Sequence, residues 1–230
     1  VVSAAGKTTN RLLQLLELAE AGDHAQSVVI TALQSYQQSL IDDLLEGEAQ
    51  TALSAALAAD LKDLCQSLAS PVDHFERNRL LALGEVWSAR LLAALLHSRG
   101  SAATWLDARR FLQAEEAALA RVAIAPSRER LQSLLAELGP QPVVVTGFIA
   151  ADEAGHTLLL GRNGSDYSAT LLGALADADA TTIWSDVAGV YSADPRRVKS
   201  AHLLERLSLA EANELARLGS PVLHSRTLQP

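Results

Sequence analysis

Methionine is missing altogether from the 230 residues, and cysteine occurs once, at Cys65. A lone thiol excludes an intrachain disulfide framework and a cysteine-rich zinc site. Its apolar helical surroundings predict a buried structural thiol. Basic residues are in deficit, 19 Lys and Arg against 27 Asp and Glu, for a formal net charge of -8. That balance excludes a diffuse cationic surface for nucleic acid. There is no uninterrupted apolar run of 18 residues and no signal peptide pattern. What is present is 49% hydrophobic residues, enough for a substantial core as one large domain or two small ones. A soluble, cytoplasmic globular protein is expected. The chain opens directly on "VVSAAG", as if entered at the end of a strand, and stops abruptly at Pro230. It reads as an excerpt of a longer protein.

From about residue 10 to 98 the pattern is mostly helical. Leu12, Leu13, Leu16 and Leu18 recur at helical spacing, with Gly22 as a stop. Two further helical stretches follow, Pro71 breaks the pattern, and one long segment runs from about Asp73 to His97. The character then changes. "AATWLDA", "QPVVVTGFIA", "HTLLLG" and "TTIWSD" are short apolar runs bounded by Gly, Pro or Asp, with helical stretches between them. That alternation predicts a mostly parallel sheet covered on both faces, an α/β fold. Near the end, Ser208 and Glu211 fit a capping box and Gly219 fits the C-terminal stop of one helix.

Ligands of open parallel sheets bind beyond the carboxyl ends of the strands, and four polar clusters fall at such places. In the first, Ser3 to Asn10, Gly6-Lys7-Thr8 matches only the tail of a P-loop, because Val1 stands where its first glycine belongs. An anion or carboxylate site at a helix start remains open, beside a plain N-cap by Thr9 or Asn10. The second is Gly84-Glu85 within a helix, where Gly costs about 1 kcal/mol relative to Ala. Close approach of a ligand and a solvated outer-face Glu explain it equally well. The third is Gly161-Arg162-Asn163-Gly164-Ser165-Asp166. Its glycines permit turn conformations, the following helix start attracts anions, and Arg162 can grip a carboxylate or phosphate with two donors. Asp166 can cap the helix, hold a metal or orient a cation. The fourth runs from Trp184 to Arg196. There Tyr191 can pack on a base, Asp186 can accept from a ribose or amine, and Arg196 can pair with phosphate. Two ordinary turns, at Ala188-Gly189 and Asp194-Pro195, are the simpler account.

Together the clusters resemble the amino-acid kinase family, and within it the aspartokinases. "GRNGSDYSA" is similar to the family's G-R-G-G-S-D motif, with Asn163 where a glycine is usual. "IWSDVAGVYSADPRRV" is similar to its nucleotide loop. "VVSAAGKTTN", "GEVWSAR", "VTGFIA" and "ELARLGSPVLHSRTLQP" follow in family order, in wording closest to kinase domains of the bifunctional aspartokinase/homoserine dehydrogenase II type. The resemblance implies a three-layer αβα sandwich spanning residues 1–230, with a helical aspartate-side portion at about 10–100 and a nucleotide-side portion at about 141–230. It implies transfer of the ATP γ-phosphoryl group to the side-chain carboxylate of L-aspartate, the first step toward lysine, methionine and threonine. Ser3, Thr9, Glu85, Phe148, Arg162 and Ser165 would hold aspartate, with Glu85 facing the α-amino group. Ser185, Asp186, Tyr191 and Arg196 would hold ATP. Asp166 and Arg162 would serve the transferring phosphate, and Mg²⁺ would bridge the phosphates without a dedicated protein site. A homo-oligomer fused to a homoserine dehydrogenase is expected, with no nucleic-acid or membrane partner.

Three departures stand out. The family's opening strand and K-F-G-G-[TS] turn lie outside this sequence, so the 230 residues alone are expected to be inactive. Pro221 stands where Lys is usual, and Leu83 replaces a His before Gly84-Glu85. Two other readings fit the sequence: a kinase for another acceptor such as glutamate or carbamate, and a degenerate kinase domain serving oligomerisation or effector sensing.

Overall fold

The computed structural model describes residues 1–117, 119–161, 163–218 and 225–230. Arg162, Gly219 and Pro221 lie outside the described residues. The helical half comprises α1 (Thr8–Glu20), α2 (Gln26–Leu44), α3 (Gly47–Ser67), α4 (His74–Leu81) and α5 (Leu83–Ser98). The first three each bury one stripe: Leu12, Leu15 and Leu16 from α1, Val29, Leu33 and Ile41 from α2, and Leu57, Leu61 and Leu64 from α3. With Trp87 and Leu91 of α5 they close into one core. Cys65 is exposed, not buried as the sequence suggested. It follows Leu64 by one residue, a rotation of about 100° that carries it off the buried stripe.

The long segment expected over 73–97 is helical, α4 and α5 meeting at Ala82, whose own backbone is helical (φ -69°, ψ -16°). Asp73 caps α4 by accepting the Glu76 N–H at 2.8 Å. His74–Ser98 as a whole is long and apolar enough to cross a membrane by length and composition, yet 61% of its most apolar stretch is buried inside the protein. It is a core element, with a buried face toward the sheet.

That sheet has β4 (Val143–Val145) at its centre. On one side β4 pairs in parallel with β1 (Thr104–Leu106), Thr104 opposite Val143 and Leu106 opposite Val145. On the other, Val2 makes a parallel bridge to Thr146, and the Val2 N–H donates to the Val145 carbonyl at 2.9 Å. Alternation along β4 covers both faces. Val144 packs with Ala89 and Ala93 of α5. Val145 joins a second core with Leu131 of α6 (Ile124–Leu138) and Leu171 of α7 (Gly164–Leu175). The chain is thus α/β with helices on both faces, as the residue pattern implied. The parallel rule is not universal, for β5 (Ile149–Ala151) and β6 (Thr157–Leu159) form an antiparallel hairpin, as do the short β2 (Ala114–Glu115) and β3 (Arg121–Val122).

Residues 181–185 of "TTIWSD" form no strand, contrary to expectation. Their composition suits a strand, but no neighbouring strand pairs with them among the described residues, and strands exist by pairing. Tyr191 makes one antiparallel bridge to Leu203. The last helix, α8 (Leu209–Arg217), has the full capping box that Ser208 and Glu211 predicted.

Candidate functional site

Three of the four clusters meet at the carboxyl end of the parallel strands. The chain leaves Val2, turns through Ser3 to Lys7 and enters α1, while α5 runs beneath the turn. Successive backbone amides of the turn bind side chains one helical turn apart on α5. The Ala4 N–H donates to Glu85 Oε1 at 3.2 Å and the Ala5 N–H to Ser88 Oγ at 2.9 Å. Thr8 closes the turn by donating to the Ala5 carbonyl at 2.7 Å and accepting from Gln37 Nε2 at 2.8 Å. The helix therefore starts at Thr8, with Lys7 at the N-cap position and no side-chain cap. Thr9 and Asn10, the sequence candidates for the cap, lie inside the first turn.

Glu85 is 3% exposed, which removes the solvated reading. Burial pushes its carboxyl up to about 7, against the opposing hydrogen bonds it accepts from backbone amides, that of Ala4 among them. Its second oxygen, Oε2, is buried and has no hydrogen-bond partner among the described residues. A buried carboxylate with a spare oxygen is costly unless a cationic donor meets it. The neighbouring glycine has a different cause from the ligand approach considered from sequence. A Cβ on Gly84 would lie 2.7 Å from the Ala4 Cβ and 3.3 Å from Thr8 Cγ2. Gly84 is small so that the turn itself can sit on α5.

The glycine-rich loop faces this turn. β4 ends at Val145, and Gly147 donates its N–H to the Val2 carbonyl at 2.8 Å. A Cβ on Gly147 would come within 2.8 Å of the Ser165 Cβ. Phe148 follows with φ 68°, a left-handed backbone for a bulky residue, and its N–H donates to Ser168 Oγ at 3.0 Å. Its ring edge leaves no room for a Cβ on Gly164, which would be 2.7 Å away. Across the loop, Gly161 has φ 83° and Asn163 φ 56°. Asn adopts the left-handed region more readily than most side chains, so the departure from the usual glycine keeps the geometry. Asn163 is the N-cap of α7. Asp166 is thus in the first turn, not the cap that the simpler reading made it. Burial raises its carboxyl above the ordinary value.

Ser3, Ser88, Ser165 and Asp166 line one open cleft, whose far wall is Thr182, Ile183 and Trp184. The fourth cluster begins just past that wall. Ser185 and Asp186 are exposed, and Ser185 Oγ lies 3.4 Å from Asp186 Oδ1. Arg196 is held by Asp194, with Nε 3.1 Å from Oδ1, and is otherwise solvent-exposed. Neither these residues nor Tyr191 line the cleft. Sequence reasoning missed Ser88, Thr8, Gln37 and Ser168. Only Ser88 left a local signal, three residues after Glu85 on the same helical face.

An α/β sheet with a turn–helix and a glycine loop converging at its carboxyl ends defines a class, and the comparison of sequences agrees. The description of the amino acid kinase family matches residues 1–230, and the chain belongs to that family. It is 52% identical over 230 residues to the bifunctional aspartokinase/homoserine dehydrogenase 2 of Escherichia coli strain K12, covering all of this chain and 28% of that protein. It is 32% identical to the lysine-sensitive aspartokinase 3 of the same organism, covering all of this chain and 51% of the relative. Among solved structures, E. coli aspartokinase III in complex with aspartate and ADP (R-state) superposes with a TM-score of 0.90 at 31% identity, over 100% of this chain and 52% of that one. The chain therefore spans about a quarter to a half of the length of these relatives.

Proposed function

We propose that the chain is the aspartate kinase portion of a longer enzyme, cytoplasmic and homo-oligomeric, and joined to a homoserine dehydrogenase as in its 52% identical relative. The observation that carries the reading is Glu85: a carboxylate buried beneath the turn of residues 3–7 with one oxygen lacking a partner among the described residues, suited to the α-ammonium group of an amino acid. Support comes from the likeness to an aspartokinase bound to aspartate and ADP. Ser165 and the first turn of α7 face the acceptor's carboxylates with N–H and O–H donors, and Arg162 supplies the bidentate grip that its motif implies. Ser3, Thr9 and Phe148 shape the acceptor's side of the site.

The reaction forms one P–O bond and breaks another. An oxygen of the aspartate side-chain carboxylate attacks the γ-phosphorus of ATP, and ADP leaves with the bridging oxygen and its electron pair. Positioning and charge neutralisation are what such a transfer requires. Mg²⁺ binds through phosphates and one or two carboxylates; it would arrive on the triphosphate, Asp166 of the cleft would be the carboxylate to hold it, and it would neutralise phosphate charge. Asp186, Tyr191, Ser185 and Arg196 are assigned to the nucleotide, on the exposed segment next to the Trp184 wall.

The test is formation of aspartyl hydroxamate by the full-length protein, with ATP and either L-aspartate or L-glutamate. Aspartate-dependent product with little from glutamate is expected. Equal use of the two acceptors, or no ATP consumption with either, would overturn the assignment.

A further inference from the structure

Arg226 lies far in sequence from the glycine loop yet touches it from several directions. It belongs to a single 3-10 turn, Ser225–Leu228. Its Nη1 donates to the Leu160 carbonyl at 2.5 Å, immediately before Gly161. Its Nη2 donates to the Ala120 carbonyl at 2.8 Å, and the guanidinium carbon sits 4.3 Å from the centre of the Tyr167 ring. Each partner borders the loop. Leu160 is the last residue before it and is anchored by donating its N–H to the Phe148 carbonyl at 2.8 Å. Tyr167 is in the first turn of α7, and its N–H binds the Asn163 carbonyl at 3.1 Å. The residue before Ala120, Leu119, packs against the loop so closely that a Cβ on Gly161 would lie 2.9 Å from its Cδ2.

We infer that Arg226 is a positioning residue for the acceptor loop: it fastens the entry, the flank and the exit of Gly161–Gly164, and so fixes the aim of the donors that the loop and the first turn of α7 present. The physical argument is one of strain and entropy. Gly161, free to take many conformations, loses more freedom on being ordered than any other residue type, and Asn163 holds a left-handed conformation that persists where surrounding contacts over-determine it. A planar guanidinium donates in two directions while its face lies on an aromatic ring, so one side chain fixes three segments at once. A lysine has no such fork. Arg226 thereby joins the residue after β6, the segment before β3, and α7. The inference rests on the acceptor reading of the loop given above, and its own test does not need that reading to hold.

The experiment compares the full-length protein with Arg226→Ala and Arg226→Lys. Amide hydrogen exchange is read by mass spectrometry, and hydroxamate kinetics are read separately for aspartate and ATP. Faster exchange confined to about residues 160–168 is expected in Arg226→Ala, with α1, α2 and α3 unchanged. Arg226→Lys should show the same localised effect to a lesser degree. The aspartate KM should rise roughly 10-fold in Arg226→Ala, with the ATP KM within about twofold. Unchanged exchange at the loop in both variants would overturn the inference. So would loosening in Arg226→Lys that spreads evenly over the protein. Localised exchange with an unchanged aspartate KM would keep the clamp but remove its place in acceptor binding. A wild-type protein that ignores aspartate would instead sink the functional assignment while the exchange result stood.

Discussion

At the scale of single residues, Glu85 sets the most specific expectations. Its carboxyl ordinarily titrates at 4.5 and is pushed up to about 7 by burial. The folded protein therefore holds a proton that the unfolded chain releases. The associated stability is fully present below about pH 4.5 and is lost as pH rises through about 7, by about 3 kcal/mol in all. Glu85→Gln should flatten that dependence and be more stable than wild type at pH 8, as guanidinium denaturation at several pH values would reveal. Function should move the other way. An ammonium group needs the ionised form, so the wild-type aspartate KM should rise roughly tenfold per pH unit below 7, and Glu85→Gln should have an aspartate KM about 10- to 100-fold higher at pH 8. A KM flat from pH 5.5 to 8 would rule out the ammonium contact. This residue was half legible in the sequence. The carboxylate beside a mid-helix glycine drew notice, but burial and solvation were evenly matched until the turn at Ala4 was seen lying over it. Cys65 was misread for a smaller reason, a displacement of one position from the Leu57–Leu61–Leu64 stripe.

At the scale of elements, the joints matter more than the elements they join. Helices α1, α2 and α3 follow from apolar spacing and α8 from its capping box, information carried within each segment. The strands β1, β4, β5 and β6 were legible as short apolar runs. The 181–185 run is not a strand because pairing is a tertiary fact, and the roles of Thr8, Gln37 and Arg226 were hidden for the same reason. Gly84 and Gly147 permit close contact between segments distant in sequence, and they should differ when replaced. An added methyl at Gly84 meets the side chains of Ala4 and Thr8, whereas at Gly147 it meets Ser165 and, at 2.9 Å, the backbone carbonyl of Val2. The Ala4 Cβ is fixed to its backbone and cannot rotate away, so both sites are overpacked, but at Gly84 alone the preference of a helix for Ala over Gly, about 1 kcal/mol, offsets part of that cost. Gly84→Ala should therefore cost about 1 kcal/mol net. Gly147→Ala should cost about 2–3 kcal/mol and depress kcat, because it pushes the Val2–Thr146 joint and α7 apart. Equal denaturation midpoints for the two variants would contradict this ordering.

At the scale of the whole molecule, the core among the described residues falls into three clusters: one among α1–α5, one among α6, α7 and the strands, and a small one where Ala89 and Ala93 of α5 meet Val144 of β4. The cleft opens between α5 and α7. Trp184 stands on its far wall, 92% exposed, beside the residues assigned to ATP. Trp87 is buried in the helical core. Binding of MgATP should therefore shift the emission of Trp184 to shorter wavelength and protect it from acrylamide. Trp184→Phe should lose the shift and keep most of the activity. An emission change that survives this substitution would place the nucleotide elsewhere. The bridge between Val2 and Thr146 also has a meaning in time. The turn that carries Ala4 and Ala5 is fixed to the sheet only when residue 146 has been made, and at ~5–20 residues per second that is roughly 7–30 s after residue 2. Throughout that interval on the ribosome α1 to α5 can gather around their leucines, while the sheet-facing side of α5, with Ala89 and Ala93, has Trp105 of β1 to cover it but still lacks Val144 of β4. The growing chain therefore carries an apolar helix face only part covered until β4 emerges, although nothing in the finished fold marks that moment.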